Sequence, residues 1–226
     1  MRRVITLLLA VVLGLDAFLV YGTTVAHPIG VREAVSRFRA APSQETDDGV
    51  YLYDTTGYER IDRLGLRRDY PRVSARIVRH DGCARREEVV LFREHTETYT
   101  SCDGVPIGFG TRLTYYFVPA VTALVCEAGD CRDARHGVEA TLSVADDGAG
   151  TAVVGGAVLP CRRVTVTTVL TGSNEGGARR DLCVAANGLV LTEKRVVSVV
   201  ARSAFVGRVA YSEEATFALR SLVPAR

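Results

Sequence analysis

Six cysteines, Cys83, Cys102, Cys126, Cys131, Cys161 and Cys183, are the residues of this 226-residue chain whose type and spacing most directly imply chemistry. All six follow an apolar run, residues 4–21, which begins just after Arg2 and Arg3. That order is expected of a chain exported from the cytoplasm and folded where thiols oxidise. In an antiparallel hairpin the turn decides which residues face each other. A turn over residues 172–177 (GSNEGG) centres Cys161 and Cys183 on Gly172, so the two sulfurs should meet, allowing for a residue of slip. Cys83 and Cys102 are centred between Phe92 and Arg93, and Cys126 and Cys131 enclose only Glu127-Ala128-Gly129-Asp130. The pairs 83–102, 126–131 and 161–183 are therefore favoured, although spacing alone does not exclude other connectivities. A zinc site at Cys126, Cys131 and His136 is the competing reading. It lacks an evident fourth ligand and the usual finger spacing.

Catalytic signatures are absent. The chain has no G-x-S-x-G elbow, no phosphate-cradling G-x-x-x-x-G-K and no H-E-x-x-H. His27 lies beside the apolar run, and His80, His95 and His136 fall at expected turns or strand ends, which places them at the surface. The acid pairs Glu87-Glu88, Asp146-Asp147 and Glu213-Glu214 cannot act jointly, because adjacent strand residues point to opposite faces. They are expected to be solvated. Arg60, Arg63, Arg67, Arg68, Arg72, Arg76 and Arg79 crowd one stretch, with Arg85 and Arg86 after the next turn. Guanidinium groups grip phosphates well, but Glu59, Asp62, Asp69 and Asp81 are interspersed, so a solvated, ion-paired face is expected. No catalytic residue, metal or cofactor is implied.

The elements that position these residues divide the chain in three. Residues 1–26 read as a signal-anchor or transmembrane segment. Its 18-residue apolar run approaches the roughly 20 residues needed to span a bilayer, and Arg2 and Arg3 would stay cytoplasmic. Cleavage near Ala26, releasing a secreted protein, is the alternative. Residues 27–48 read as a short amphipathic helix, with Val31, Ala34, Val35 and Phe38 on one face, and a polar linker. Residues 49–226 read as an extracytoplasmic antiparallel β domain. Val50-Tyr51-Leu52-Tyr53 alternates, Val73, Ala75 and Ile77 alternate with Arg72, Ser74 and Arg76, and residues 164–170 are dense in β-branched side chains. Residues 189–200 and 209–219 add two long strands. Gly or Asn-Gly turns separate strands every 8–15 residues.

Composition narrows the classes of function. Hydrophobic residues make up 47% of the chain, enough for a sizeable core. Setting Arg2, Arg3 and Asp16 aside from 28 basic and 26 acidic residues leaves 26 and 25. That near balance argues against a nucleic-acid binder.

The segments Gly49-Val50-Tyr51-Leu52-Tyr53, Thr55-Thr56-Gly57, Leu64-Gly65 and Tyr70-Pro71 resemble an uncharacterised family of secreted or membrane-anchored bacterial proteins. From Leu182 through Asn187-Gly188-Leu189 to Phe217-Ala218-Leu219 the pattern is similar to the lipoprotein-carrier (LolA-like) half-barrels of the bacterial cell envelope. That resemblance implies a curved antiparallel sheet, a half-barrel or open barrel, whose apolar concave face holds acyl chains. The expected protein is a non-enzymatic domain anchored in the cell membrane through residues 4–21, binding a lipid or other hydrophobic ligand. The alternative is a cell-envelope protein-interaction module with a filled core and no ligand.

Overall fold

Alternating apolar and polar residues, rich in valine, threonine and tyrosine, put nearly all of the described chain into β-strands. The computed structural model describes residues 48–62, 65–92, 95–102, 105–115, 118–127, 130–133, 137–203 and 207–225. The expected anchor and amphipathic helix lie outside the described residues. Among the described residues no helix is long and apolar enough to cross a membrane.

The strands are β1 (Gly49–Ile61), β2 (Leu66–Asp69), β3 (Val73–Asp81), β4 (Ala84–Phe92), β5 (His95–Cys102) and β6 (Val105–Tyr115). They continue as β7 (Val118–Glu127), β8 (Asp130–Asp133), β9 (Val138–Val154), β10 (Ala157–Gly172), β11 (Asn174–Val184), β12 (Val190–Ser203) and β13 (Gly207–Leu219). Consecutive strands pair antiparallel, except that β2 and β3 both pair with β1 and not with each other, and β13 pairs back onto β1, from Tyr53 against Leu219 to Ile61 against Tyr211.

The sheet is therefore a closed up-and-down barrel, which corrects the expected half-barrel or open barrel. Closure removes both sheet edges, the part of a β protein most prone to unwanted pairing. β2 and β3 keep one register against β1, with Tyr58 facing Asp69 and Gly49 facing Val78. The break between them falls at Pro71, which has no N–H to donate. Tyr70 N still donates to Gly57 O at 3.0 Å, and Thr55 N to Arg72 O at 2.9 Å. The two segments act as one strand, so the barrel has twelve staves. Gly57 (φ +133°) lies against the backbone of β13, where a Cβ would lie 2.1 Å from Glu214 O.

Because the strands alternate in direction, the β3–β4, β5–β6, β7–β8, β9–β10 and β11–β12 connections share one end with the start of β1 and the end of β13. All three disulfides lie there. Cys83 joins Cys102, Cys126 joins Cys131 directly opposite, and Cys161 joins Cys183, with Cα–Cα distances of 4.9, 4.0 and 5.4 Å. The 126–131 bond commits two of the three ligands that a zinc site would have used. The turn joining the strands of the third pair, at the opposite end, is tighter than expected. β10 runs to Gly172 and β11 starts at Asn174, so Asn174-Glu175-Gly176-Gly177 is strand, and Cys183 faces Arg163 rather than Cys161.

The same end is capped from within. The β9–β10 register shifts at Arg163/Val164, and a bulge of this kind bends a hairpin. Beyond it Ala152, Val154 and Cys161 join the apolar cluster of Tyr53, Leu191, Phe217 and Leu219. Arg85 Nη1 donates to Asn187 O at 3.2 Å, tying β4 to the β11–β12 turn. Past β13 the C-terminal segment continues antiparallel along β1, where Arg220 N donates to Leu52 O and Ala225 N to Val50 O.

Candidate functional site: a column of alternating charges inside the barrel

Residues paired directly across a sheet point to the same face, so the register shows what the lumen holds. Tyr51, Tyr53, Thr55 and Glu59 of β1 point inward with Arg76 of β3, Glu87 of β4, His95, Glu97 and Tyr99 of β5, Arg180 of β11, Glu193 and Arg195 of β12, and Glu213 of β13. Large charged side chains therefore fill part of a closed barrel.

They form one chain of contacts with alternating sign. Glu87 accepts from Arg76 Nη1 at 2.6 Å, and Arg76 Nη2 donates to Glu193. Arg195 Nε lies 3.3 Å from Glu193 Oε1, and Arg195 Nη1 donates to Glu97 Oε2 at 2.6 Å. Glu97 Oε1 lies 3.6 Å from His95 Nε2, His95 Nδ1 is 2.9 Å from Glu59 Oε2, and Arg68 completes the column against Glu59. Arg180 branches off at Glu193, 2.7 Å from Oε1. Glu213 branches off at Arg195, with Oε1 3.2 Å from Nη1 at an angle that makes no hydrogen bond. Arg76 stacks over Tyr53, Arg195 over Phe217 and Arg180 over Tyr99 at 4.5, 4.7 and 4.0 Å.

Electrostatics follow from this packing. Burial alone would strip the proton from His95, but the Glu59 and Glu97 carboxylates outweigh it and hold its pKa up at about 9. Burial pushes the Glu193 and Glu97 carboxyls up. The guanidiniums around Glu193, and Arg195 with His95 around Glu97, outweigh that and hold both well below the usual range. Glu213 goes the other way, because burial is only partly offset by Arg195 and the nearby Glu97 carboxylate repels a second charge. Tyr211 Oη lies 3.0 Å from Glu213 Oε2 and 3.1 Å from Glu59 Oε2. A phenol carries one proton, so a protonated Glu213 can donate to Tyr211 while Tyr211 donates to Glu59.

Several expectations are corrected. Arg76, read as the polar face of a half-buried strand, is fully buried, and Arg68 also enters the lumen. His95, expected at the surface, is 2% exposed. Glu87 and Glu213 point inward, whereas their neighbours Glu88 and Glu214 face out, as strand alternation requires. Arg60 and Arg67 do lie on an exposed, paired face with Asp62 and Asp69. His80 lies beside Asp48 at 2.9 Å, and Asp146 is exposed against Arg162. His27, Arg63 and His136 lie outside the described residues. Sequence reasoning missed Glu59, Glu97, Arg180, Glu193 and Arg195 as site residues. A signal was present, since Glu193 and Arg195 alternate in phase with Leu191, Val197 and Val199, placing charge on an apolar strand face.

The rest of the inner face differs. Val144 of β9 faces Val166 of β10, which faces Arg180; Ala178 of β11 faces Val197 of β12, which faces Glu213. With Leu142 and Val199 these residues make an apolar wall that is only partly covered, and Val144 remains 58% exposed despite its inward register.

No family model matches the chain, and no curated protein matches it. Among solved structures the chain is similar to a DUF1329 family protein from Desulfovibrio piger, at 9% sequence identity over 86% of this chain and 92% of that chain, with a TM-score of 0.29. A likeness that low carries no inference about fold or function.

Proposed function

We propose that the protein is an extracytoplasmic barrel, held at the membrane by residues 4–21, which binds a lipidic or other hydrophobic ligand against the inner face of β9–β12. The observation that carries this reading is the partly covered apolar wall of Leu142, Val144, Val166, Ala178, Val197 and Val199 inside a closed barrel. Ligand sites are typically apolar concavities with a few placed polar groups. Arg180, directly across from Val166 and held by Glu193, supplies such a group at the border of the wall, so a ligand with an apolar body and a polar end fits best. The resemblance to lipoprotein-carrier half-barrels agrees in ligand class.

Native mass spectrometry of the full chain taken from membranes in mild detergent should show a co-purifying lipid. The chain should also take up a fluorescent fatty acid. Val166→Asp places a carboxylate on the wall and should weaken uptake at least about ten-fold, the effect of about 1.4 kcal/mol. A bare protein that takes up no fatty acid would refute the proposal. That outcome would favour a cell-envelope interaction module without ligand, a reading the densely packed charge column supports.

A further inference from the structure

Nine large apolar side chains are exposed among the described residues, and their distribution is uneven. Val144 faces the lumen, and Val169 and Val196 are scattered on the wall. The other six, Ile107, Val125, Val153, Val158, Leu222 and Val223, all lie close to the connections at the disulfide end. Val153 and Val158 face each other directly across the β9–β10 hairpin and are 61% and 68% exposed. The hairpin tip adjoins the C-terminal segment, since a Cβ on Gly155 would lie 3.5 Å from Arg220 O. The hairpin pair and Leu222-Val223 therefore form one rim. Single exposed aliphatics are ordinary, but a collected rim marks a surface that meets something apolar.

The chain's own path indicates what that is. β1 starts at this end, with Gly49 packed so closely on Pro224 that a Cβ would lie 2.3 Å from its ring. Residues 1–48 therefore join the barrel beside the rim, and they include the 18-residue apolar run. Nearby arginines are already matched, Arg162 with Asp146 and Arg220 with Asp54 at 3.2 Å, so electrostatic attraction contributes little.

We infer that the disulfide end of the barrel is a lipid-facing surface, with Val153, Val158, Leu222 and Val223 seated at the headgroup–acyl boundary of the bilayer. The inference rests on reading residues 4–21 as the anchor. The three disulfides at this end brace the rim.

The chain contains no tryptophan, so single-tryptophan variants report position cleanly. Val158→Trp and Val223→Trp at the rim and Val169→Trp toward the opposite end are introduced into the full chain, incorporated in phosphatidylcholine vesicles containing acyl-brominated lipid. Side chains seated about 5–10 Å into the interface should lose about half of their fluorescence at positions 158 and 223, with little loss at 169. The difference should persist in high salt. Co-flotation with vesicles but equal quenching at all three positions overturns the docking surface and leaves the anchor standing. Loss of flotation overturns both. Unquenched rim tryptophans with a dimer in sedimentation overturn it in favour of a second copy covering the rim.

Discussion

Replacing Glu193 by glutamine tests whether the charge column acts as one energetic unit. Glu193 is fully buried and meets three guanidiniums, those of Arg76, Arg180 and Arg195. Glutamine keeps the size but offers one acceptor oxygen in place of two and removes the charge, so three buried cations lose their shared counterion. Removing one partner of a buried ion pair costs about 3–5 kcal/mol, and three dependants put this change at the upper end, about 5 kcal/mol. For a domain of this size each kcal/mol moves Tm by about 2–4 °C, which gives a fall of about 10–20 °C. Glu87 is the control. It is 12% exposed, holds Arg76 at 2.6 Å and has Arg85 3.9 Å away. Glu87→Gln should cost only about 1–2 kcal/mol, or about 2–8 °C. Adding Arg180→Met to Glu193→Gln removes the cation that Glu193 holds through two hydrogen bonds, and should recover about 1–2 kcal/mol through direct coupling. Thermal unfolding followed by circular dichroism at pH 7 under oxidising conditions reads all four proteins. Equal losses for the two glutamine variants, with no recovery in the double variant, would refute a coupled column.

Two further outcomes follow from the same geometry. His95 keeps its proton up to about 9 in the folded barrel, against 6.5 when unfolded. Its contribution, about 3 kcal/mol, is complete below pH 6.5 and lost as pH rises through 9. Urea midpoints should fall across that window and flatten in His95→Gln, so a wild-type profile level from pH 6 to 9.5 contradicts the assignment. The disulfides close loops of different length, with separations of 22 residues for Cys161–Cys183 and 5 for Cys126–Cys131. Paired alanine substitutions should cost about 3 and about 2 kcal/mol respectively by loop entropy. The reverse order in urea unfolding would show that strain or residual structure dominates.

Much of the architecture was legible in local patterns. Residues 164–170 announce a strand through stiff β-branched side chains, and turns near residues 93 and 172 bring Cys83 near Cys102 and Cys161 near Cys183. These features depend on neighbours a few residues away or across one hairpin, the range over which propensity and turn chemistry operate. Strand alternation likewise separated Glu87 from Glu88 and Glu213 from Glu214. Which member of each pair faced inward was not legible, because both faces of this wall carry charge.

Closure and the lumen belong to the tertiary structure. β1 and β13 are about 160 residues apart in sequence (Thr56 opposite Thr216), and no local signal states that the first and last strands meet. Arg76 looks like a surface arginine beside Arg72 and Arg79. It becomes an interior cation only when β12 brings Glu193 to it from 117 residues away. A charge can leave water only where several distant partners converge to replace hydration, and that convergence exists only once the barrel has closed.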